Sequence, residues 1–303
     1  MLTNLLIMLL SIGIPLAIAV GGMLLWRAQR RRDKRRSPLK DKILNLPGEY
    51  LRKQISTHRD AYDEAAIISL LIGPICLCAW LLLRMDWNRV RFAWGDAMFV
   101  LLALGFVAWS LWQMISHASQ ARSYREGLDA ELAVAQSLTQ LNAEGGLVFH
   151  DFPCDRFNID HIVVGRSVVF AIETKSRKKP VDNGRESARV TYDGTRLAFP
   201  DKHTESKPIE QARYQAEWLG KFLANGAGES IRVVPVVALP GWYVESVNAG
   251  RRPDVLVTNC HNPMFMAGDK FGPPMTESLR KRIAHVLFEK YPSLDEFLDA
   301  RTG

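Results

Sequence analysis

The stretch 157–175, FNIDHIVVGRSVVFAIETK, constrains the fold more than any other part of the chain. Two runs rich in Ile, Val and Phe flank Gly165, Arg166 and Ser167, the composition and spacing of strand, tight turn, strand. Successive side chains on a strand point to opposite faces. Glu173 and Lys175 therefore share a face with Val169 and Ala171, while Phe170, Ile172 and Thr174 take the other. A two-residue hairpin loop pairs even-numbered positions on the first strand with odd-numbered ones on the second. Asp160 then falls opposite Ala171 or Glu173, and in either register it lies on the face of Glu173 and Lys175.

Two carboxylates at or near cross-strand contact repel unless something positive sits between them. A hard divalent cation answers that need. Mg²⁺, or Mn²⁺ in its place, prefers carboxylate oxygen and keeps several waters, so Asp160, Glu173 and the backbone carbonyl of Thr174 make a half-shell for it. Lys175 would then point at a water on the ion or at a scissile phosphate, the requirement for phosphodiester hydrolysis. The plainer alternative is a surface hairpin whose charges are solvated.

At 303 residues, nearly half of them hydrophobic and with a net charge of +7, the chain holds either two domains or one domain plus membrane segments. The distribution of apolar residues favours the second. Leu2 to Trp26 is almost unbroken apolar sequence without charge, long enough to cross a hydrocarbon core, and it lacks the positive leader and small-residue cleavage site of a signal peptide. The arginine-rich block from Arg27 to Arg36 follows directly and marks the cytoplasmic side, which puts the N-terminus outside. That block also suits anionic lipid or nucleic acid, although topology explains it without a ligand. Residues 27–64 read as a basic cytoplasmic linker with a short amphipathic helix around Tyr50 to His58. Ala65 to Leu83 and Asp96 to Ile115 are further apolar runs, the latter with Trp109 and Trp112 inside it and Trp87 and Trp94 ahead of it. The loop between them carries three basic residues against twelve in the preceding segment, so the heavier side keeps the rest of the chain in the cytoplasm. A re-entrant pairing of these two runs gives the same sidedness. The expected organisation is a transmembrane helix at 1–26, the linker at 27–64, two transmembrane helices at 65–115, a catalytic-type domain at 122–258 and a helical extension at 259–303. This is an integral protein of the inner or plasma membrane, with the lipid bilayer as one partner. Cys76, Cys78, Cys154 and Cys260 form neither a disulfide framework nor a metal-type pair.

Beyond the apolar runs, a helix is expected over Ser123 to Asn142, with Leu128, Leu132, Ala135, Leu138 and Leu141 as its buried stripe. Glu131 lies on or beside that stripe, where an unpaired carboxylate is uncommon. Gly145 and Gly146 end the helix, and Leu147 to Phe152 is a first strand. His150 and His161 lack a ligand partner at metal spacing and read as structural. After the hairpin, Arg177, Lys178 and Lys179, then Arg185 and Arg189, make a basic loop. It is either a set of phosphate contacts for a nucleic acid, DNA above all, or a solvated linker. Arg189 to Phe199 is a hairpin turning at Asp193 and Gly194. A helix opens at Lys207 and Pro208 with Ser206 as cap and Ile209, Ala212, Ala216, Leu219 and Leu223 as core face; Gln211, Gln215 and Trp218 form a neighbouring stripe. Strands at Ile231 to Leu239 and Asp254 to Thr258 follow, then helices at Thr276 to Lys290 and Ser293 to Ala300. This order suggests an α/β sandwich with a mixed sheet.

The arrangement of Asp160 on one strand and Glu173-Thr174-Lys175 on the next resembles the D…(D/E)xK core of restriction-endonuclease-like nucleases. The wording around it, IDHIVVG at 159–165 and VFAIETK at 169–175, resembles more narrowly the NERD (nuclease-related) domain. The resemblance runs over roughly Arg122 to Leu256 and implies an α/β fold, a restriction-endonuclease-like mixed sheet flanked by helices, here preceded by the N-terminal transmembrane helices. It also implies that Glu131 is the acid contributed by the first helix, although the family's Gly-Glu is Ala130-Glu131 here. A Pro-x-x-Gln pattern likewise nominates Gln211 as a side chain sent toward the metal, with Lys207 standing where the family prefers Asn. The expected function is Mg²⁺-dependent hydrolysis of DNA, or RNA, by Asp160, Glu173, Lys175, Glu131 and Gln211 on the cytoplasmic side of a membrane. A nucleic-acid-binding or tethering protein that keeps the fold without catalysis, and a membrane scaffold that meets another protein, are the alternatives. The oligomeric state is not legible from the sequence.

Overall fold

The computed structural model describes residues 45–63, 66, 94–180, 185–247 and 253–291. The apolar run at 2–26, that at 65–83 apart from Ala66, the arginine block and the expected helix at 293–300 lie outside these residues, whereas the run at 96–115 lies within them. Among the described residues no helix is long and apolar enough to cross a membrane. By packing the chain divides into two units, residues 1–40 with 63–114 and residues 41–62 with 115–303. The second unit carries the sheets.

Its first described element is helix α1, residues 49–63, longer at its C-terminal end than the sequence suggested. Helix α2, Trp94–Leu138, joins into one helix what the sequence divided into an apolar run and a separate helix from Ser123. The reason is local: residues 116–122 contain no Pro or Gly, so nothing interrupts the backbone ladder. A 3-10 turn, Thr139–Glu144, ends it, and Gly145 at φ 72° supplies the left-handed cap.

Strands β1 (Leu147–Pro153), β2 (Asn158–Val164) and β3 (Val169–Thr174) form an antiparallel meander. Gly165 N–H donates to the Val168 carbonyl at 3.0 Å, so the hairpin turns on Arg166 and Ser167, and Val164 pairs with Val169. Strands β4 (Arg189–Tyr192), β5 (Leu197–Ala198) and β6 (Thr204–Glu205) come next, then helix α3, Lys207–Ala227. From it the chain enters β7 (Val233–Ala238), which runs parallel to β3. Short strands β8 (Tyr243–Ser246) and β9 (Leu256–Thr258) and helix α4, Glu277–Lys290, complete the described fold. The main sheet has the order β1-β2-β3-β7-β9; a smaller one has the order β6-β5-β4-β8. The fold is thus mixed α/β, with mixed sheets flanked by helices. Strand β8 escaped the sequence reading because its side chains do not alternate between buried and exposed.

Each face of the main sheet has its own core. Ile162, Val164, Val169 and Ala171 pack with Ala216, Leu219 and Leu223 of α3 and with Ile283 and Leu287 of α4. On the opposite face Val163, Phe170, Ile172 and Val236 meet Val134 and Leu138 of α2. Residues beyond 258 supply part of both layers: Tyr291 closes the first and Cys260 and Met266 the second. Each fully buried aliphatic side chain contributes roughly 1.5–3 kcal/mol. Every residue of β3 is buried, so this strand, central in the sheet, is the most rigidly held support the fold offers.

The segment ahead of α1 and the first turn of α1 fold back onto this body. Asn45 Nδ2 donates to the Asp151 carbonyl at 2.7 Å, and Tyr50 N–H donates to the Asp151 carboxylate at 2.5 Å. Between them Gly48 sits at φ +71°, where an added Cβ would collide with Leu128 Cδ1 and meet Glu131 Oε2 at 3.3 Å. Gly48→Ala is expected to lower stability by about 1–2 kcal/mol, the cost of a left-handed backbone for an L-residue, with Leu128 having to move as well. A denaturant midpoint equal to wild type would show that this contact does not hold in solution.

Candidate functional site

The site grows from the ends of β2 and β3. His161 pairs with Ile172, and continuing that register puts Asp160 opposite Glu173, the second of the two alternatives open to the sequence. Asp160 Oδ2 accepts from the Thr174 backbone N–H at 2.6 Å. Glu173 is only 3 % exposed, and its Oε1 lies 2.6 Å from Lys175 Nζ. Lys175 also donates to Gln211 Oε1 at 3.1 Å. Asp160, Glu173, Lys175 and Gln211 are therefore tied together in space from two strands and the first turns of α3. Thr174 meets Asp160 through its amide; its own hydroxyl is buried without a partner among the described residues.

Glu131 arrives from α2. Burial, then the negative charges of Asp151 and Glu173, push its carboxyl up to about 8, with Lys175 opposing. Asp160 is likewise held well above the ordinary carboxylate range by burial and then by Glu173 and Glu131, against the pull of the Thr174 amide and Lys175. Three acids thus share one region with one amine, and burial first, then their mutual negative charge, raises the Glu131 and Asp160 carboxyls.

Strand alternation breaks where the site is built. Phe149 and Phe152, three positions apart, join the same core cluster, as do their neighbours Ile159 and Ile162. Between them Asp151 takes φ 45°, and the ladder runs from His150 with His161 to Phe152 with Ile159 without pairing Asp151 to Asp160. Asp151 is held there by Tyr50 N–H and by Asn158 Nδ2 at 2.8 Å. Left-handed backbone in a non-glycine residue survives where its surroundings hold it. Burial raises the Asp151 carboxyl, while those two donors lower it.

Sequence reasoning missed Asp151, Asn158 and Gln215. Gln215, 1 % exposed, donates its Nε2 to Glu173 Oε2 at 2.5 Å and to the Asn158 carbonyl at 3.4 Å. Its Oε1 is buried with no partner among the described residues, an arrangement that costs about 1–3 kcal/mol. The signal for Gln215 was present, since it falls one helical turn after Gln211 on the same stripe. The signal for Asp151 was absent, because nothing in a strand-like run announces a positive φ.

His150 and His161 touch through their Nδ1 atoms at 2.9 Å, away from the acids' network of bonds. Burial lowers His150 to about 4 and holds His161 well below its ordinary value, so both are neutral at physiological pH. The basic loop is more self-contained than its composition suggests. Arg177 pairs with Glu205 at 3.0 Å and lies over the Phe199 ring, Lys178 pairs with Glu126 at 2.8 Å, and Arg189 pairs with Glu245 at 3.1 Å. Lys179 is exposed, with Nζ beside Gly241, and the side chain of Arg185 lies outside the described residues. Partly exposed pairs of this kind are worth at most about 1 kcal/mol, so a phosphate can replace the carboxylate.

Adjacent strands of a mixed sheet thus deliver Asp160 and Glu173-x-Lys175, and a helix adds Glu131. Residues 126–240 match the family model of NERD, the nuclease-related domain. Glu131, Asp160, Glu173, Lys175, Gln211 and Gln215 all fall inside the matched span, whereas Gly48, Tyr50 and α4 fall outside it. No curated protein and no solved structure matches the chain.

The raised acids and lowered histidines give a pH signature to the cation-free protein. A carboxyl raised in the folded state favours folding while protonated, so Glu131 contributes stability below about 4.5 that is lost as pH rises toward about 8. His150 acts oppositely, its neutral folded form adding stability as pH rises from about 4 to its ordinary 6.5. Above 6.5 the acids are left alone. With chelator present, denaturant midpoints are expected to fall between about pH 6.5 and 8, and Glu131→Gln to be more stable at pH 8 with a shallower fall. Parallel curves for the two proteins would contradict the assigned environment of Glu131.

Proposed function

We propose that this protein is a metal-dependent nuclease that hydrolyses phosphodiester bonds of DNA, or of RNA, on the cytoplasmic side of a membrane. The observation that carries the proposal is the convergence of Asp160, Glu173 and Glu131 on one region where, among the described residues, Lys175 is the opposing positive charge. An unneutralised acid cluster on the inner strands of a sheet lowers stability, and fold stability offers no reason to keep it.

The residues present fit a hard divalent cation. Among the described residues no three of His, Cys, Asp and Glu are grouped closely enough to hold an ion by themselves. Mg²⁺ does not need such a cage, because it is held through one or two carboxylates and completes its shell with water and substrate phosphate. Asp160 and Glu173 would hold it, with Mn²⁺ as a substitute and the Thr174 carbonyl as a third oxygen. When bound, the cation polarises the phosphodiester and acidifies water.

The remaining work falls to the chain. The Thr174 amide fixes the Asp160 carboxylate in place. Lys175 keeps Gln211 as an anchor, so its ammonium can leave Glu173 for the charge that builds on the phosphate without losing its position. Glu131, protonated up to about pH 8, can donate or accept a proton at the edge of the site. Lys179 and the exchangeable pairs of Arg177, Lys178 and Arg189, together with Arg185, would take the nucleic-acid backbone. Anchoring would come from the apolar runs at 2–26 and 65–83, with the basic block at 27–36 directly after the first.

The paired state of the basic loop favours one other reading, a nucleic-acid-binding or tethering protein that does not cut. Cleavage of supercoiled DNA separates the two. Asp160→Ala and Lys175→Ala are each expected to lower Mg²⁺-dependent hydrolysis by at least about 10²-fold, with circular dichroism unchanged. Salt-sensitive binding with no cleavage by the wild type, and no effect of either variant, would leave the non-catalytic reading standing. For the anchor, the full chain is expected to stay with membranes through an alkaline carbonate wash; release into the supernatant would rule out spanning segments.

A further inference from the structure

Glu173 has two carboxylate oxygens, and different groups hold them. Lys175 takes Oε1 at 2.6 Å, and Gln215 takes Oε2 at 2.5 Å. The two partners differ in freedom. The Lys175 side chain is about a third exposed, at 32 %, and has Gln211 as a second partner; Gln215 is 1 % exposed and fixed on α3 among Ala212, Ala216 and Leu219. The direction of the Gln215 amide is determined by its surroundings. A carboxylate and the Asn158 carbonyl both accept only, so the nitrogen must face them and the oxygen must face away.

We infer that Gln215 is a positioning residue for the cation site: it pins Oε2 of Glu173 so that Oε1 is presented to the cation when Lys175 lets go. This rests on the nuclease reading above and adds to it a residue that no motif nominated. The arrangement extends away from the site, because Asn158, which Gln215 contacts through its carbonyl, holds Asp151, and Asp151 is held by the Tyr50 amide. The orientation of Glu173 is thereby tied to the first turn of α1. Without the Gln215 donor, Glu173 would have Lys175 as its remaining side-chain partner and would follow the ammonium instead of staying behind for the ion.

The test uses the full chain, titrated calorimetrically with Mg²⁺ and with Mn²⁺, as wild type, Gln215→Met and Gln215→Asn. Met keeps length and shape without a donor; Asn keeps the amide but is too short to reach, and it serves if the Met variant does not fold. Thermal melts by circular dichroism establish that each variant is folded. The expected result is metal binding about tenfold weaker in the variants, an unchanged KM for DNA, and cleavage that recovers as the metal concentration rises. Metal affinity equal to wild type in a folded variant overturns the inference and leaves Gln215 a packing residue. A raised KM with unchanged metal affinity also overturns it. A wild type that binds neither ion removes the nuclease reading itself, and this inference with it.

Discussion

Mutual repulsion among Asp160, Glu173 and Glu131 is the constraint around which this domain is organised. Burying these carboxyls and bringing like charges together in low dielectric both cost free energy, and burial first, then repulsion, holds Glu131 and Asp160 above their ordinary range. One lysine cannot neutralise three acids. The site is consequently stabilised piecemeal, with the Thr174 amide on Asp160, the Gln215 amide on one oxygen of Glu173 and Lys175 on the other. Each donor sits on a different kind of support: backbone of the central strand, a buried helix position, and a flexible stem.

That division decides what can move. Strand β3 is buried throughout and α3 packs along it, so the Asp160, Thr174 and Gln215 contacts belong to the most rigid part of the molecule. Lys175 alone combines partial exposure with two alternative partners. A preorganised acid pair with one mobile amine suits the electrostatic catalysis proposed above, because the costly desolvation is met during folding and only one flexible side chain would have to reorganise.

The core outside the site was legible in the sequence for simple reasons. Ile, Val and Phe flanking a three-residue turn signal located β2 and β3, and the even-odd pairing rule put Asp160 and Glu173 on one face before any coordinates. Apolar spacing found α3, and Thr276 was foreseen as the start of the last described helix, where it now caps through Leu279 N–H. The boundary between the third apolar run and the helix from Ser123 was misread, since periodicity marks faces and cannot show that α2 runs unbroken from Trp94. Strand β8 was overlooked because edge pairing with β4 leaves no hydrophobic alternation to read.

Local chemistry written in the chain thus determined which residue types meet: two acids and an amine on adjacent strands, with a helix acid and a glutamine directed toward them. The rule of period two suffices for the two acids and the amine, because it depends only on neighbours a few positions apart, whereas the roles of Glu131 and Gln211 came from the family resemblance. Tertiary structure alone decided the φ 45° turn at Asp151, the return of Gly48 and Tyr50 onto it, and the choice of Gln215 as the second partner of Glu173. Those contacts join residues 42 to 101 positions apart, and no local propensity encodes them. They exist because a buried carboxylate must find donors wherever the packed fold brings them.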